Sequence, residues 1–278
     1  MRITPRAYGF CAAAGFSIAG LTLAGVSATP VSAGHNIFHI FTPAVEAGAW
    51  GAEVLSGFQS GFPADGEHEP VRLAHELAVH TGVNDLWMTK LALAIERPAG
   101  GDYDVTSIAS ENVFRLSAKA HGAMDAAWFT AIEAGVASDA TNAVVFGPVV
   151  SFAQGPVAVM LNPFFEKTFG RNREDGIAFT YGWRATYQIS DALSFGVEGY
   201  GAVENLAAAP PASEQVHRIG PVLYLGHVHG NPEGVHGTEH SDHSAGSKPE
   251  WHGEIGVLFG LTDATPDAAI KLNIGADF

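Results

Sequence analysis

The last residues of the chain constrain its fold more than any other stretch. Apolar residues alternate there with polar or small ones, in the order Ile270, Lys271, Leu272, Asn273, Ile274, Gly275, Ala276, Asp277 and Phe278. Because successive side chains of a β-strand point to opposite faces, this pattern predicts a strand with one apolar and one polar face. A soluble sandwich strand can also alternate, but it seldom ends the chain on an aromatic residue of the apolar face.

The other end of the chain has the pattern of an export signal. Arg2 and Arg6 precede an apolar stretch at 8–26, and small residues at 31–33 form a cleavage site. An uncleaved membrane anchor is the alternative, but Pro30 and the small residues favour cleavage. We therefore predict a signal peptide at 1–33 and a periplasmic segment at 34–44. The single cysteine, Cys11, lies within the signal, so the mature chain has no disulfide framework.

Composition favours a membrane barrel over a soluble enzyme. Hydrophobic residues make up 47% of the chain and charged residues only 15%. Beyond the signal, the sequence has no run of about 20 apolar residues of the kind that forms a transmembrane helix. Lipid-facing residues that alternate with lumen-facing ones explain both facts. The net charge of −15 becomes more negative when the signal is removed, which argues against nucleic acid or anionic lipid as a partner.

Turn residues divide the remaining chain into strand-like segments. Short turns at 82–85, 154–156 and 190–192 alternate with longer polar connections, as in barrels with short periplasmic turns and longer external loops. The fold class that we predict is all-β: an antiparallel transmembrane meander barrel of about twelve strands, occupying 45–278. The predicted strands are 45–58, 70–82, 86–97, 104–119, 124–136, 142–153, 156–169, 175–189, 192–205, 215–226, 251–261 and 267–278.

The alternation also assigns ionisable residues to the inside of the barrel. A charge that faces lipid near the midplane costs about 2–4 kcal/mol, so charges within the strands should point inward. They either line a water-filled passage or pair across a narrow, closed barrel. His75 is an exception, because it shares the face of Leu73 and Leu77. The predicted lumen-lining residues are Arg72, Glu76, Lys90, Glu96, Arg184, Glu198, Arg218, Glu254 and Lys271.

A histidine-rich insertion at 227–250 interrupts the meander, and the strand count places it at the periplasmic mouth. Imidazole is a ligand for zinc, copper and nickel, and histidine-rich tracts bind such ions. No cofactor is required by this prediction. The alternative is a solvated loop whose histidines only add pH-dependent charge. The candidate metal ligands are His227, His229, His236, His240, His243 and His252.

An enzyme is a less favoured alternative. The sequence His240-Ser241-Asp242-His243-Ser244 has the residue types that an outer-membrane lipid hydrolase would use. It lies in a Gly/Ser-rich insertion, however, and not on a rigid strand that could hold a nucleophile within hydrogen-bond reach of its base. We therefore predict no catalytic residues.

The signal peptide, the alternating strands, the Asn-Asp-Leu-Trp turn at 84–87 and the terminal Phe278 together resemble a known class. The chain resembles small Gram-negative outer-membrane barrels of the transporter or porin-like type, including the phenol-degradation-pathway solute channels. This resemblance implies an outer-membrane location, contact with its lipid, and passive passage of a small solute. It also implies recognition by the barrel-assembly machinery through Ile270, Leu272, Ile274 and Phe278. A structural or metal-sensing barrel without an open pore is the alternative function.

Overall fold

The barrel closes on itself. The structure is a computed structural model that describes residues 38–60, 71–98, 101–116, 123–136, 141–226 and 249–278. Each of twelve antiparallel strands pairs with its neighbours in sequence, and the first pairs with the last. The predicted fold class and strand count are therefore confirmed. In the described residues, no helix has the length and apolarity needed to cross a membrane.

The strands begin and end close to the predicted turns, with one larger difference at the start. β1 begins at Trp50, five residues after the predicted boundary, because residues 45–49 belong to a segment that precedes the sheet. The strands are β1 Trp50–Ser60, β2 Arg72–Asn84, β3 Trp87–Arg97, β4 Asp104–Arg115, β5 Met124–Gly135, β6 Asn142–Gln154, β7 Val157–Phe169, β8 Ala178–Ser190, β9 Leu193–Val203, β10 Val216–Leu225, β11 Glu250–Gly260 and β12 Ala268–Asp277.

The last strand closes the barrel against the first. Gly51 lies opposite Asp277, and the pairing continues to Ser60 opposite Ala268. Beyond the strand end, the Phe278 N–H donates to the Trp50 carbonyl at 2.8 Å, and the two rings stack with centroids 4.3 Å apart. We call this end of the barrel the terminal mouth and the other end the opposite mouth.

Large apolar side chains cover the outside of the barrel. Ile132, Leu91, Val79, Phe195 and Phe259 are all about half exposed or more, and they lie on different strands around the sheet. A soluble monomer rarely exposes so continuous an apolar surface. Because the closed sheet pairs its backbone groups internally, it meets the main requirement for spanning lipid. The outer face is therefore that of a transmembrane barrel.

The exceptional His75 does lie on this outer face, and its neighbours explain how it is accommodated. Its Nδ1 is 3.0 Å from Ser56 Oγ on β1. The Tyr103 ring lies 5.8 Å from the imidazole, and the same ring packs against the Arg97 guanidinium at 5.4 Å. The polar groups thus bond to one another under an aromatic cover, which reduces the cost of their position.

Candidate functional site

The inner face of the barrel carries the ionisable residues. All nine predicted lumen-lining residues lie on it. Glu76, Lys90, Glu96, Arg184, Glu198, Arg218 and Lys271 are buried, and Arg72 and Glu254 are half-buried. The prediction missed further inward carboxylates, among them Glu53, Glu111, Asp125, Glu133, Glu166 and Asp277. Glu53 and Glu111 lie in the first and fourth segments, where the sequence alternates least clearly.

Lys90 connects carboxylates from three other strands. Its Nζ lies 2.9 Å from Glu53, 2.9 Å from Glu76 and 3.0 Å from Glu111. These acids come from β1, β2 and β4, so the ammonium joins four neighbouring strands across the lumen wall. We call these four residues the Lys90 network.

A second network surrounds Lys271. Its Nζ lies 2.8 Å from Glu198 and 2.7 Å from Glu254, and Arg184 approaches Glu254 at 3.4 Å. Tyr224 also donates to Glu198 at 2.7 Å. Of the two arrangements that the sequence allowed for these charges, the structure shows pairing across the lumen: Lys271 on β12 pairs with Glu198 on β9, and Arg184 on β8 pairs with Glu254 on β11.

Part of the inner surface of β4 to β7 is apolar, beside the inward carboxylates that these strands also carry. Buried apolar residues form a cluster on this part of the surface: Val113, Ala127, Phe129, Ala131, Val145, Val149 and Phe164. We call this surface the apolar wall. The lumen therefore carries the Lys90 network and the network around Lys271 together with a hydrocarbon surface at the apolar wall.

The chain before β1 lies inside the barrel and covers the apolar wall. We call residues 38–49 the N-terminal strap. Phe41 is 2% exposed, and its ring centroid lies 4.3 Å from that of Phe129 and 6.0 Å from that of Phe164. Asn162 holds the backbone of the same residue: its Oδ1 accepts from the Phe41 N–H at 2.6 Å, and its Nδ2 donates to the Phe41 carbonyl at 3.1 Å.

The strap extends along the lumen from near one mouth to the other. At the end nearer the opposite mouth, the Phe38 carbonyl lies 2.9 Å from Tyr200 Oη, and the Arg218 guanidinium lies 4.9 Å from the Phe38 ring centroid. At the other end of the strap, near the terminal mouth, the Gly48 N–H donates to the Gly82 carbonyl. Residues 38–44, which we predicted as a periplasmic segment, therefore lie within the barrel.

Most of the predicted metal ligands lie outside the described residues, as does the 240–244 sequence. These ligands are His227, His229, His236, His240 and His243. His252 is described, and its Nδ1 lies on the inner face 3.3 Å from Asp277 Oδ2. The other oxygen of Asp277 is 3.1 Å from His80 Nε2. Across the described part of the chain, no three His, Cys, Asp or Glu residues form a metal-holding group.

Comparison with solved structures identifies barrels of the same architecture. A NanC porin structure has 12% identity, covers 82% of this chain and 98% of its own, and gives a TM-score of 0.51. An outer-membrane channel from Pseudomonas putida F1 has 12% identity, covers 84% of this chain and 96% of its own, and gives a TM-score of 0.54. The fold is that of small outer-membrane channels. No protein-family model matches the chain, and no curated protein matches it.

Proposed function

We propose that this protein is a passive outer-membrane channel for small solutes and that the N-terminal strap blocks its lumen in the resting state. The observation that carries the proposal is a strap that fills a lipid-facing barrel without joining its sheet. Twelve strands give a bore between the filled interior of eight strands and the wide channel of sixteen. Displacement of residues 38–47 would open a passage without breaking a bond between strands, and the bonds of Gly48 and Ala49 to Gly82 would keep the strap attached at the terminal mouth.

The contacts of the strap differ in how much their loss would cost. The Tyr200 hydroxyl has one proton and lies near two acceptors, Phe38 O at 2.9 Å and Glu198 Oε2 at 2.6 Å. Tyr200 thus keeps an acceptor when the strap leaves. Asn162 would lose both partners, and each such hydrogen bond contributes about 0.5–1.5 kcal/mol. Of the strap's bonds to strand side chains, those of Asn162 therefore cost the most to lose, while Phe38, Ile40 and Phe41 hold the strap by apolar burial.

Conductance in planar bilayers tests this function. We expect the full-length protein to conduct weakly and Asn162→Ala to conduct more often, because the strap loses both side-chain bonds to its backbone. Asn112→Ala is the matched control, since Asn112 bonds Trp87 on the outer face at 3.0 Å and not the strap. Folded barrels of all three proteins that never conduct, and vesicles that never admit small sugars, would refute a channel.

The alternative is a barrel without an open pore. The paired lumen charges and the strap favour it, because both reduce the space for solute. Under this alternative, Asn162→Ala and Asn112→Ala behave alike in bilayers. The histidine-rich insertion, which leaves β10 and returns to β11 at the terminal mouth, would then supply a metal-sensing role that only metal titration can test.

A further inference from the structure

We propose that the site now filled by Phe41 binds solutes that carry an aromatic ring next to an amide, such as N-acylated aromatic amino acid amides and short aromatic peptides. This inference rests on the proposed channel function and adds a ligand class to the lumen. We call the site the Phe41 cradle and define it by Phe129, Phe164, Asn162 and Lys90. The strap is its ligand within the chain, so its contacts show which chemistry the cradle recognises.

The ring half of the cradle is preformed by strand residues. Phe129 and Phe164 stack with centroids 4.6 Å apart and an interplanar angle of 23°. The Lys90 ammonium lies 5.3 Å from the Phe41 ring centroid. Aromatic pairs and cations over ring faces both favour an aromatic occupant over an aliphatic one. The His39 ring of the strap itself also lies 4.3 Å from the Phe41 ring centroid, and the apolar wall supplies further apolar neighbours.

The amide half of the cradle is a single side chain. Asn162 lies on the inner face of β7, two residues before Phe164, and is 1% exposed. Its carboxamide accepts from one N–H and donates to one carbonyl of the same residue. A solute that displaces the strap without an amide leaves this buried group without partners, and such sites discriminate strongly against the incomplete ligand. A plain aromatic hydrocarbon should therefore bind less well than an aromatic amide.

The strap competes with any solute for this cradle. Because the strap is attached to β1 and cannot diffuse away, its effective concentration at the cradle is high. Phe41→Pro in the full-length protein weakens that competitor, because proline lacks both the aromatic ring and the N–H that donates to Asn162. The strap contributes no strand, so the barrel should still assemble, as heat-modifiable gel migration would show. Phe146→Ala is the control for loss of an aromatic residue, because Phe146 lies on the outer face beside Trp128.

The experiment measures binding of three probes to the purified full-length proteins by titration calorimetry: N-acetylphenylalanine amide, N-acetylalanine amide and toluene. We expect Phe41→Pro to bind the phenylalanine amide at least about tenfold more tightly than the native protein or Phe146→Ala. The alanine amide should not bind. Adding Asn162→Ala to Phe41→Pro should weaken the phenylalanine amide by about tenfold and leave toluene unchanged.

Two results overturn the inference. One is the absence of phenylalanine amide binding to folded Phe41→Pro, and the other is toluene binding as tightly as the amide with no effect of Asn162→Ala. If Phe41→Pro does not assemble, Phe41→Ala takes its place, and equal affinities for toluene and the phenylalanine amide again overturn the amide half. Conductance measured without any probe separates failure of this inference from failure of the proposed channel. If Phe41→Pro conducts but no probe blocks it, the cradle is excluded and the channel function stands.

Discussion

Lys90→Met removes the cation that holds three buried carboxylates together in the lumen. Glu53, Glu76 and Glu111 each lie within 3.0 Å of the ammonium, and the lysine is 3% exposed. Methionine nearly preserves the volume of the side chain, so the perturbation is mainly the loss of charge. Breaking a buried pair by removing one partner costs about 3–5 kcal/mol, and here the remaining acids also repel one another.

The assay is urea titration of barrels folded into vesicles, which gives the free energy of unfolding of each variant. We expect Lys90→Met to lower it by about 3–5 kcal/mol. Lys167→Met is the matched control, because the bonds that Lys167 makes in the described residues go to the carbonyls of Glu174 and Gly176 outside the sheet, and it should cost about 1 kcal/mol or less. Adding Glu111→Gln to Lys90→Met should recover part of the loss. A Lys90→Met barrel as stable as the Lys167→Met barrel would refute the proposed role of the Lys90 network.

Three further predictions concern the ends of the chain and its connections. Deletion of Phe278 removes the bond and the stacking with Trp50, so pulse labelling should show less heat-modifiable barrel than in the native strain. Gly82→Ala places a Cβ against the Glu46 carbonyl, so it should loosen the strap and raise bilayer conductance. Simultaneous alanine substitution of His236, His240 and His243 in the insertion should abolish most of the heat of zinc and copper binding in calorimetry without unfolding the barrel. Metal binding to the native protein should weaken as pH falls through about 6.5.

The fold could be predicted because its signals are local. The alternation of Leu193, Phe195 and Val197 with Ser194 and Glu198, for example, fixes the faces of β9 wherever the strand lies. The start of β1 could not be predicted in the same way. Residues 45–49 have no feature that separates them from a strand, and the difference arises from a distant partner: Gly48, at φ +82°, bonds Gly82 on β2.

The strap and its cradle depend on contacts that no local pattern indicates. The Phe41 backbone bonds Asn162, which is 121 residues away in sequence, and the Phe38 carbonyl lies beside Tyr200, 162 residues away. Parity places Asn162 on the inner face, but it does not say that the chain before the sheet returns to bond it. The large apolar residues at the start of the strap, Phe38, Ile40 and Phe41, were the available signal, because a periplasmic segment exposed to water has little reason to carry them.

The charge networks and the apolar wall respond differently when the strap moves. The ion pairs of Lys90 and Lys271 join strand residues only, so they remain paired whether or not the strap is present. The apolar wall, in contrast, depends on Phe41 for its cover. Displacement of the strap therefore exposes hydrocarbon and one unsatisfied amide at Asn162 rather than unpaired charge. A solute that offers both an apolar ring and an amide restores what the strap supplied, and such a solute favours the open barrel because it binds only when the strap is displaced.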